Sequence, residues 1–257
     1  MRKGMRRAAM IVLTGMTIAG MGMWGNVVNT AAEETTTETT NAAEEYYLDT
    51  LYYDQLTEEE RTVYGDLYEA FTKHETEFFV FTPDYSMIYK MVDAIIEEHP
   101  EMFWIGTMYF QDFDVYEWDD QKSLCKCTYL FTKEEIEKYE VELEEVSEEF
   151  LEALPENGTT YQKVKAAFDY ICDKTIYTED IDDKYGQSLI GPLCYGESIC
   201  VGYARALDFL LEKADISCVS IPLVQEHEAN LVEIAGDVYY VDVTWGDDDS
   251  ETQYQYL

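Results

Sequence analysis

Residues 226–245 read EHEANLVEIAGDVYYVDVTW, and they decide the fold. Two runs rich in Val, Leu, Ile and Tyr flank Ala235-Gly236, which reads as a two-residue turn between antiparallel strands. Pairing Ile234 with Asp237 sets the register, with Ala229 opposite Asp242 and His227 opposite Thr244. Side chains two apart share one face of a sheet, so His227 and Asp242 become diagonal neighbours within reach of a side-chain bond. A carboxylate on one imidazole nitrogen leaves the other free to face a nucleophile.

Upstream, residues 191–221 read GPLCYGESICVGYARALDFLLEKADISCVSI. A loop ends near Ser198 and a helix starts at Cys200, with Ala204, Leu207, Leu210 and Leu211 on its buried side. Gly202 permits close approach beside the cysteine. Amides at a helix start donate to negative charge, and the end dipole adds to them, so a thiolate is favoured there. A lone cysteine in this setting is more often a small buried residue. The histidine and carboxylate on the following hairpin make catalysis the better reading. Tyr203 and Trp245 are candidates for the cleft wall, with core packing as the equal alternative for each.

Three segments carry a family resemblance: Cys200-Val201-Gly202-Tyr203-Ala204, His227-Glu228-Ala229-Asn230 and Val241-Asp242-Val243-Thr244-Trp245. Together they resemble the transglutaminase-like superfamily, a circularly rearranged relative of papain-like cysteine enzymes. The resemblance covers roughly residues 160–257. It implies an α+β core with an antiparallel sheet and a nucleophile-bearing helix, in which Cys200 is the nucleophile, His227 the base and Asp242 its orienter. It is similar to bacterial exported members whose core follows an extra α/β region, and His99-Pro100-Glu101-Met102-Phe103-Trp104 fits that subgroup. Ala229 stands where relatives carry a tryptophan, which opens part of the expected cleft wall, and Phe168 stands where they often carry a histidine. The implied chemistry is acyl transfer on peptide or carboxamide bonds, by hydrolysis or transamidation. The alternative is a catalytically degenerate binding or structural module.

Composition bounds the partners. There are 54 acidic against 17 basic residues, a formal net charge of -37, which disfavours nucleic acid and anionic membrane surfaces. A peptide or protein substrate, including cell-wall peptide, is the expected partner. No cofactor is implied. The acidic runs Glu179-Asp180, Asp182-Asp183 and Asp247-Asp248-Asp249 lack the spacing of a calcium loop, so calcium is only weakly supported. Six cysteines in 257 residues form no small disulfide scaffold, although Cys194 is near enough in sequence to oxidise with Cys200. Cys125 and Cys127 share a strand face, and Cys172 and Cys218 read as buried thiols. His74 reads as solvated or capping, and His99 as finishing a helix.

The amino terminus, MRKGMRR followed by an apolar stretch and Ala31-Ala32, reads as a signal peptide over 1–32, hence export, with no stable span after processing. Residues 33–45 form a Thr-rich acidic leader, 46–131 an N-terminal α/β region, and 132–257 the transglutaminase-like domain with its leading helix. Capping boxes at Thr57/Glu60 and Thr132/Glu135 start two helices, the second running over 133–154. Further helices are expected around Met87–Ile95, with Met87, Met91, Val92 and Ile95 inward, and over 160–173. Short strands are expected at Phe78–Phe81, Trp104–Phe110 and Cys125–Phe131, with a turn-like segment at 112–122 between the last two.

Overall fold

Three long helices begin at a threonine whose hydroxyl accepts the amide three residues on, while the side chain there reaches back to the threonine's own amide. The computed structural model describes residues 50–106, 113–223, 227–247 and 257. In chain order its elements are α1 (Leu51–Asp54), α2 (Glu58–Thr72), β1 (Glu77–Val80), α3 (Tyr85–Glu98), β2 (Phe113–Glu117), β3 (Ser123–Cys127), α4 (Lys133–Ala153) and α5 (Thr160–Lys174). They continue with β4 (Ile176–Tyr177), α6 (Asp183–Gly186), a π-turn (Gly191–Tyr195), β5 (Glu197–Ser198), α7 (Cys200–Lys213), β6 (Cys218–Leu223), β7 (His227–Ile234), β8 (Asp237–Val241) and α8 (Val243–Gly246). The chain is mixed helix and sheet, of the α+β kind. Antiparallel sheets run in the orders β1-β3-β2 and β6-β7-β8, and a two-residue parallel ladder joins β4 to β5.

The helices form where the apolar spacing gives them one side to bury. Helix α2 turns Val63, Leu67, Ala70 and Phe71 inward, and α4 buries Ile136, Tyr139, Leu143 and Phe150 while its glutamates face solvent. Helix α3, capped by the Asp84 carboxylate, buries Ile88, Met91, Val92 and Ile95; Met87 is only half-buried. Helix α7 is buried from Gly202 through Leu211, the position of a helix enclosed on several sides. Strand β7 lies between β6 and β8 and packs against it.

The N-terminal elements close over this core. Helix α3 packs on β6, and the Tyr52 hydroxyl donates to the Ser220 carbonyl at 3.1 Å. Arg205, 2% exposed on α7, donates to the carbonyls of Ile105 and Gln187.

Four local expectations need correction. Trp104–Phe110 is not a strand over its described part: Phe103, Trp104 and Ile105 are buried in a turn, with the Trp104 indole N–H on the Phe71 carbonyl, and residues 107–110 lie outside the described ones. The hairpin lies instead between β2, inside the segment read as a turn, and β3, which ends at Cys127 rather than Phe131. Phe131 is buried just before the Thr132 cap. The last strand ends at Val241, where Asp242 caps α8, so Thr244 is helical and does not face His227. His74 takes the capping place expected of it and is half-buried, with its amide donating to the Phe71 carbonyl. It follows α2 at φ 55° in the left-handed region and packs edge-on against Trp104, with ring centroids 4.6 Å apart. The segments 1–32 and 33–45 lie outside the described residues.

Candidate active site

The hairpin turn falls where expected. Ala235 and Gly236 both have positive φ, and Ile234 pairs with Asp237. The ladder runs back to Asn230 opposite Val241. One residue later the chain leaves the sheet, because the Asp242 carboxylate takes the Trp245 amide on Oδ1 at 3.0 Å and starts α8. This cap keeps Oδ2 on the His227 side, where His227 Nε2 lies 2.7 Å away. Asp242 is completely buried, and the His227 side chain is 14% exposed. The hairpin register and the helix cap therefore act together to fix one carboxylate on one imidazole.

Cys200 enters from the opposite element. It is the first residue of α7 and 6% exposed. The residue before it, Ile199, makes no side-chain cap, so no side chain of the capping position occupies the first-turn amides. Its thiol is hydrogen-bonded to His227. Since Nε2 is committed to Asp242, Nδ1 is the ring nitrogen left for sulfur. Asn230, fully buried, donates to the Ala204 carbonyl at 2.9 Å and ties β7 to the first turns of α7.

The electrostatics follow from these contacts. Burial pulls the His227 imidazole down, but hydrogen bonds to Asp242 and Cys200 and their negative charges outweigh it, raising its pKa to about 9. Burial works against the Asp242 carboxylate too. Donors from His227, Tyr240 and the Trp245 amide overcome it and hold the group below its ordinary range. The arrangement keeps a proton on imidazole and a charge on Asp242. All six cysteines are free thiols, so Cys194 and Cys200 are not bridged. Burial pushes Cys125, Cys172 and Cys194 up to about 12 each, and raises Cys218 as well. Cys200 differs from these four in having an imidazole partner.

The three cleft candidates separate. Trp245 is 55% exposed and stacks on His227, with centroids 5.0 Å apart at 17°. Tyr203 is fully buried and donates to Asp247 Oδ2 at 2.6 Å. Ala229 is 1% exposed opposite Ile221 and offers substrate almost no surface. Phe168 is likewise enclosed.

Two residues near the site were not read from the sequence. Tyr177, 44% exposed on β4, lies near the Cys200 thiol and tilts over Tyr203. Tyr240 donates to Asp242 Oδ2 at 2.6 Å. Its signal was its position two residues before Asp242, near the end of the strand that leads to it. Among the described residues no group of three or more His, Cys, Asp or Glu is arranged to hold a metal ion. Asp248 and Asp249 lie outside the described residues.

No protein-family model and no curated protein matches the chain. Several solved structures resemble it, three of them as follows. One is a TGase, 12% identical over 68% of this chain and 52% of that one, at a TM-score of 0.39. The second is a presumed cysteine protease of Cytophaga hutchinsonii, 12% identical over 52% of this chain and 62% of that one, at 0.34. The third is a presumed protease of Parabacteroides distasonis, 13% identical over 51% of this chain and 35% of that one, at 0.31. The chain thus spans less than two thirds of the length of each. Their names accord with the transglutaminase-like resemblance, and at TM-scores this low the chemistry of the site rests on its own residues.

Proposed function

We propose that the chain is an exported cysteine-dependent acyl-transfer enzyme with a transglutaminase/papain-like core, acting on peptide or carboxamide bonds. One observation carries the reading: a thiol at a helix start shares an imidazole with a completely buried carboxylate 2.7 Å from the ring. The export part rests on the sequence of residues 1–32 alone.

The steps follow from the residues. With the proton on His227, Cys200 is a thiolate and attacks the substrate carbonyl carbon. The C–N bond breaks as the imidazolium gives its proton to the departing nitrogen, leaving a thioester on Cys200 and a neutral His227. Water or an amine then attacks the thioester. His227 takes the incoming proton, and the C–S bond breaks to restore thiolate and imidazolium. Asp242 holds the ring so that Nδ1 faces sulfur throughout, and offsets the ring's positive charge. The Cys200 amide, at the uncapped start of α7, is suited to donate to the tetrahedral oxyanion. Trp245, stacked on His227, covers one ring face and offers substrate an aromatic surface.

A panel of peptide carboxamides, assayed with and without a primary amine, tests the proposal. Parent protein is expected to release the leaving amine, and Cys200→Ala, folded by circular dichroism, is expected to release none. A carboxylate product identifies hydrolysis, and an amine adduct identifies transamidation. No release by the parent, or equal release by the variant, overturns it.

A further inference from the structure

The Asp242 oxygen that holds His227 is not held by His227 alone. Oδ2 lies 2.7 Å from His227 Nε2 and 2.6 Å from the Tyr240 hydroxyl, while Oδ1 takes the Trp245 amide at 3.0 Å. Three donors thus converge on a carboxylate with no solvent exposure. Tyr240 reaches it from β8, two residues before Asp242 and one before the end of the strand. At 39% exposed the Tyr240 ring contributes little to the core, which sets its hydroxyl contact apart from its packing.

We propose that Tyr240 is a positioning residue for the acyl-transfer site: its hydroxyl fixes the rotation of the Asp242 carboxylate and moderates the pull of Oδ2 on the imidazole. The physical argument is local. A carboxylate held by the Trp245 amide on Oδ1 and the imidazole on Oδ2 has one bond on each oxygen, and any movement of the ring carries Oδ2 with it about the Cβ–Cγ axis. The tyrosine bond is a second hold on Oδ2, independent of the ring, and resists that movement. The same bond also draws on the charge that Oδ2 would otherwise present to His227. The result is an imidazolium stable enough to keep its proton beside the thiolate, yet acidic enough to release it to a leaving nitrogen. The groups that act on His227 are Cys200 from α7, Asp242 with Tyr240 bonded to it, the charge of Glu228 from the other face of its own strand, and the uncharged Trp245 ring. Within this set Tyr240 is the neutral donor on the carboxylate side, so removing its hydroxyl leaves the formal charges around the ring unchanged.

The kinetic consequence rests on the acyl-transfer reading, whereas the titration does not. The experiment compares the parent with Tyr240→Phe, using Tyr239→Phe as a control on the neighbouring exposed ring. Nuclear magnetic resonance follows the imidazole of His227, assigned among the three histidines by its loss in His227→Gln. Without the hydroxyl, Oδ2 acts on the imidazolium undiminished, so the His227 titration in Tyr240→Phe is expected to rise by roughly half a unit to one unit. Tyr239→Phe is expected to leave it in place. On a peptide carboxamide, kcat of Tyr240→Phe is expected to fall on the order of 10-fold with KM held within about 2-fold. A His227 titration that stays put or falls overturns the proposal, whatever happens to thermal stability. A rise in KM alone also overturns it, because it makes Tyr240 a substrate contact. If the parent turns over nothing, the acyl-transfer reading fails, and the titration still decides the role of Tyr240.

Discussion

Two helical glycines make opposite predictions for one substitution. In α7, a Cβ on Gly202 would stand 2.1 Å from the Ser198 hydroxyl and 2.9 Å from the carbonyl oxygens of both Gly186 and Ser188. Ser198 is fully buried with its hydroxyl on the Gly186 carbonyl, so it has no open side to rotate toward, and the two carbonyls belong to backbone. Overpacking of this kind costs about 1–3 kcal/mol, and loss of the Ser198 bond adds about 1 kcal/mol. The helical preference for Ala over Gly returns about 1 kcal/mol. Gly202→Ala is therefore expected to lose about 2 kcal/mol. In α2, a Cβ on Gly65 would meet nothing within 4 Å, so Gly65→Ala is expected to gain about 0.5–1 kcal/mol from helix propensity. Urea denaturation followed by circular dichroism reads both. In thermal melts the shifts are roughly 4–8 °C down and 1–4 °C up for a domain of this size. Because Gly202 is two residues after Cys200, its variant is also expected to shift the thiol from His227 and slow turnover. A Gly202→Ala protein as stable as Gly65→Ala would refute the packing of residues 186–198 against the nucleophile helix.

Thr159→Ala removes one capping box and is expected to cost about 1 kcal/mol in urea denaturation, with the parent m-value retained. Stability is expected to be greatest near mildly acidic pH. Burial raises Glu98 and Glu228 to about 7 each and Asp93 to about 6, and the partners of His227 raise it to about 9. Each raised group favours folding fully below its unfolded pKa and loses that contribution as pH rises through the folded value. Asp242, held low despite burial, contributes above its unfolded value and loses it as pH falls. Between pH 5 and 9 urea midpoints are therefore expected to fall, and midpoints that climb over that range would contradict this. Asp242→Asn is expected to bring the His227 titration below about 9 and cut kcat on the order of 10³- to 10⁴-fold, because the amide has one oxygen to divide between the Trp245 amide and the ring where the carboxylate has two. An unmoved titration would break the link between the two residues.

The site was more legible than the fold around it, for identifiable reasons. A two-residue turn fixes the pairings of a hairpin, so Ala235-Gly236 brought His227 and Asp242 near each other, and the Asp242 cap beyond the end of the ladder completed the approach. The Thr57 and Thr132 boxes were read from their spacing, whereas the box of Thr159 with Gln162, which starts the helix expected over 160–173, was not. Strand β2 was missed because Phe113 is its one fully buried side chain and Asp114, Tyr116 and Glu117 resemble a turn. Phe103-Trp104-Ile105 was misplaced because a short apolar run has no period, and burial in a turn looks the same as burial in a strand. Asp242 carried both signals. The β-branched residues after it suggested more strand, and its cap on the Trp245 amide prevailed. The spacing of Tyr240 from Asp242 was visible but was not read as a contact, whereas the exposure of Tyr177 belongs to tertiary packing, for which no local pattern exists.

The central claim is that Cys200 carries the acyl group, and intact-mass spectrometry of protein quenched during turnover of a peptide amide tests it most directly. The predicted result is a mass increase equal to the acyl fragment, mapped by digestion to the peptide containing Cys200, absent from folded Cys200→Ala and hardly detectable in His227→Ala. An adduct on Cys194 or Cys172 instead, or turnover by Cys200→Ala at the parent rate, would contradict it.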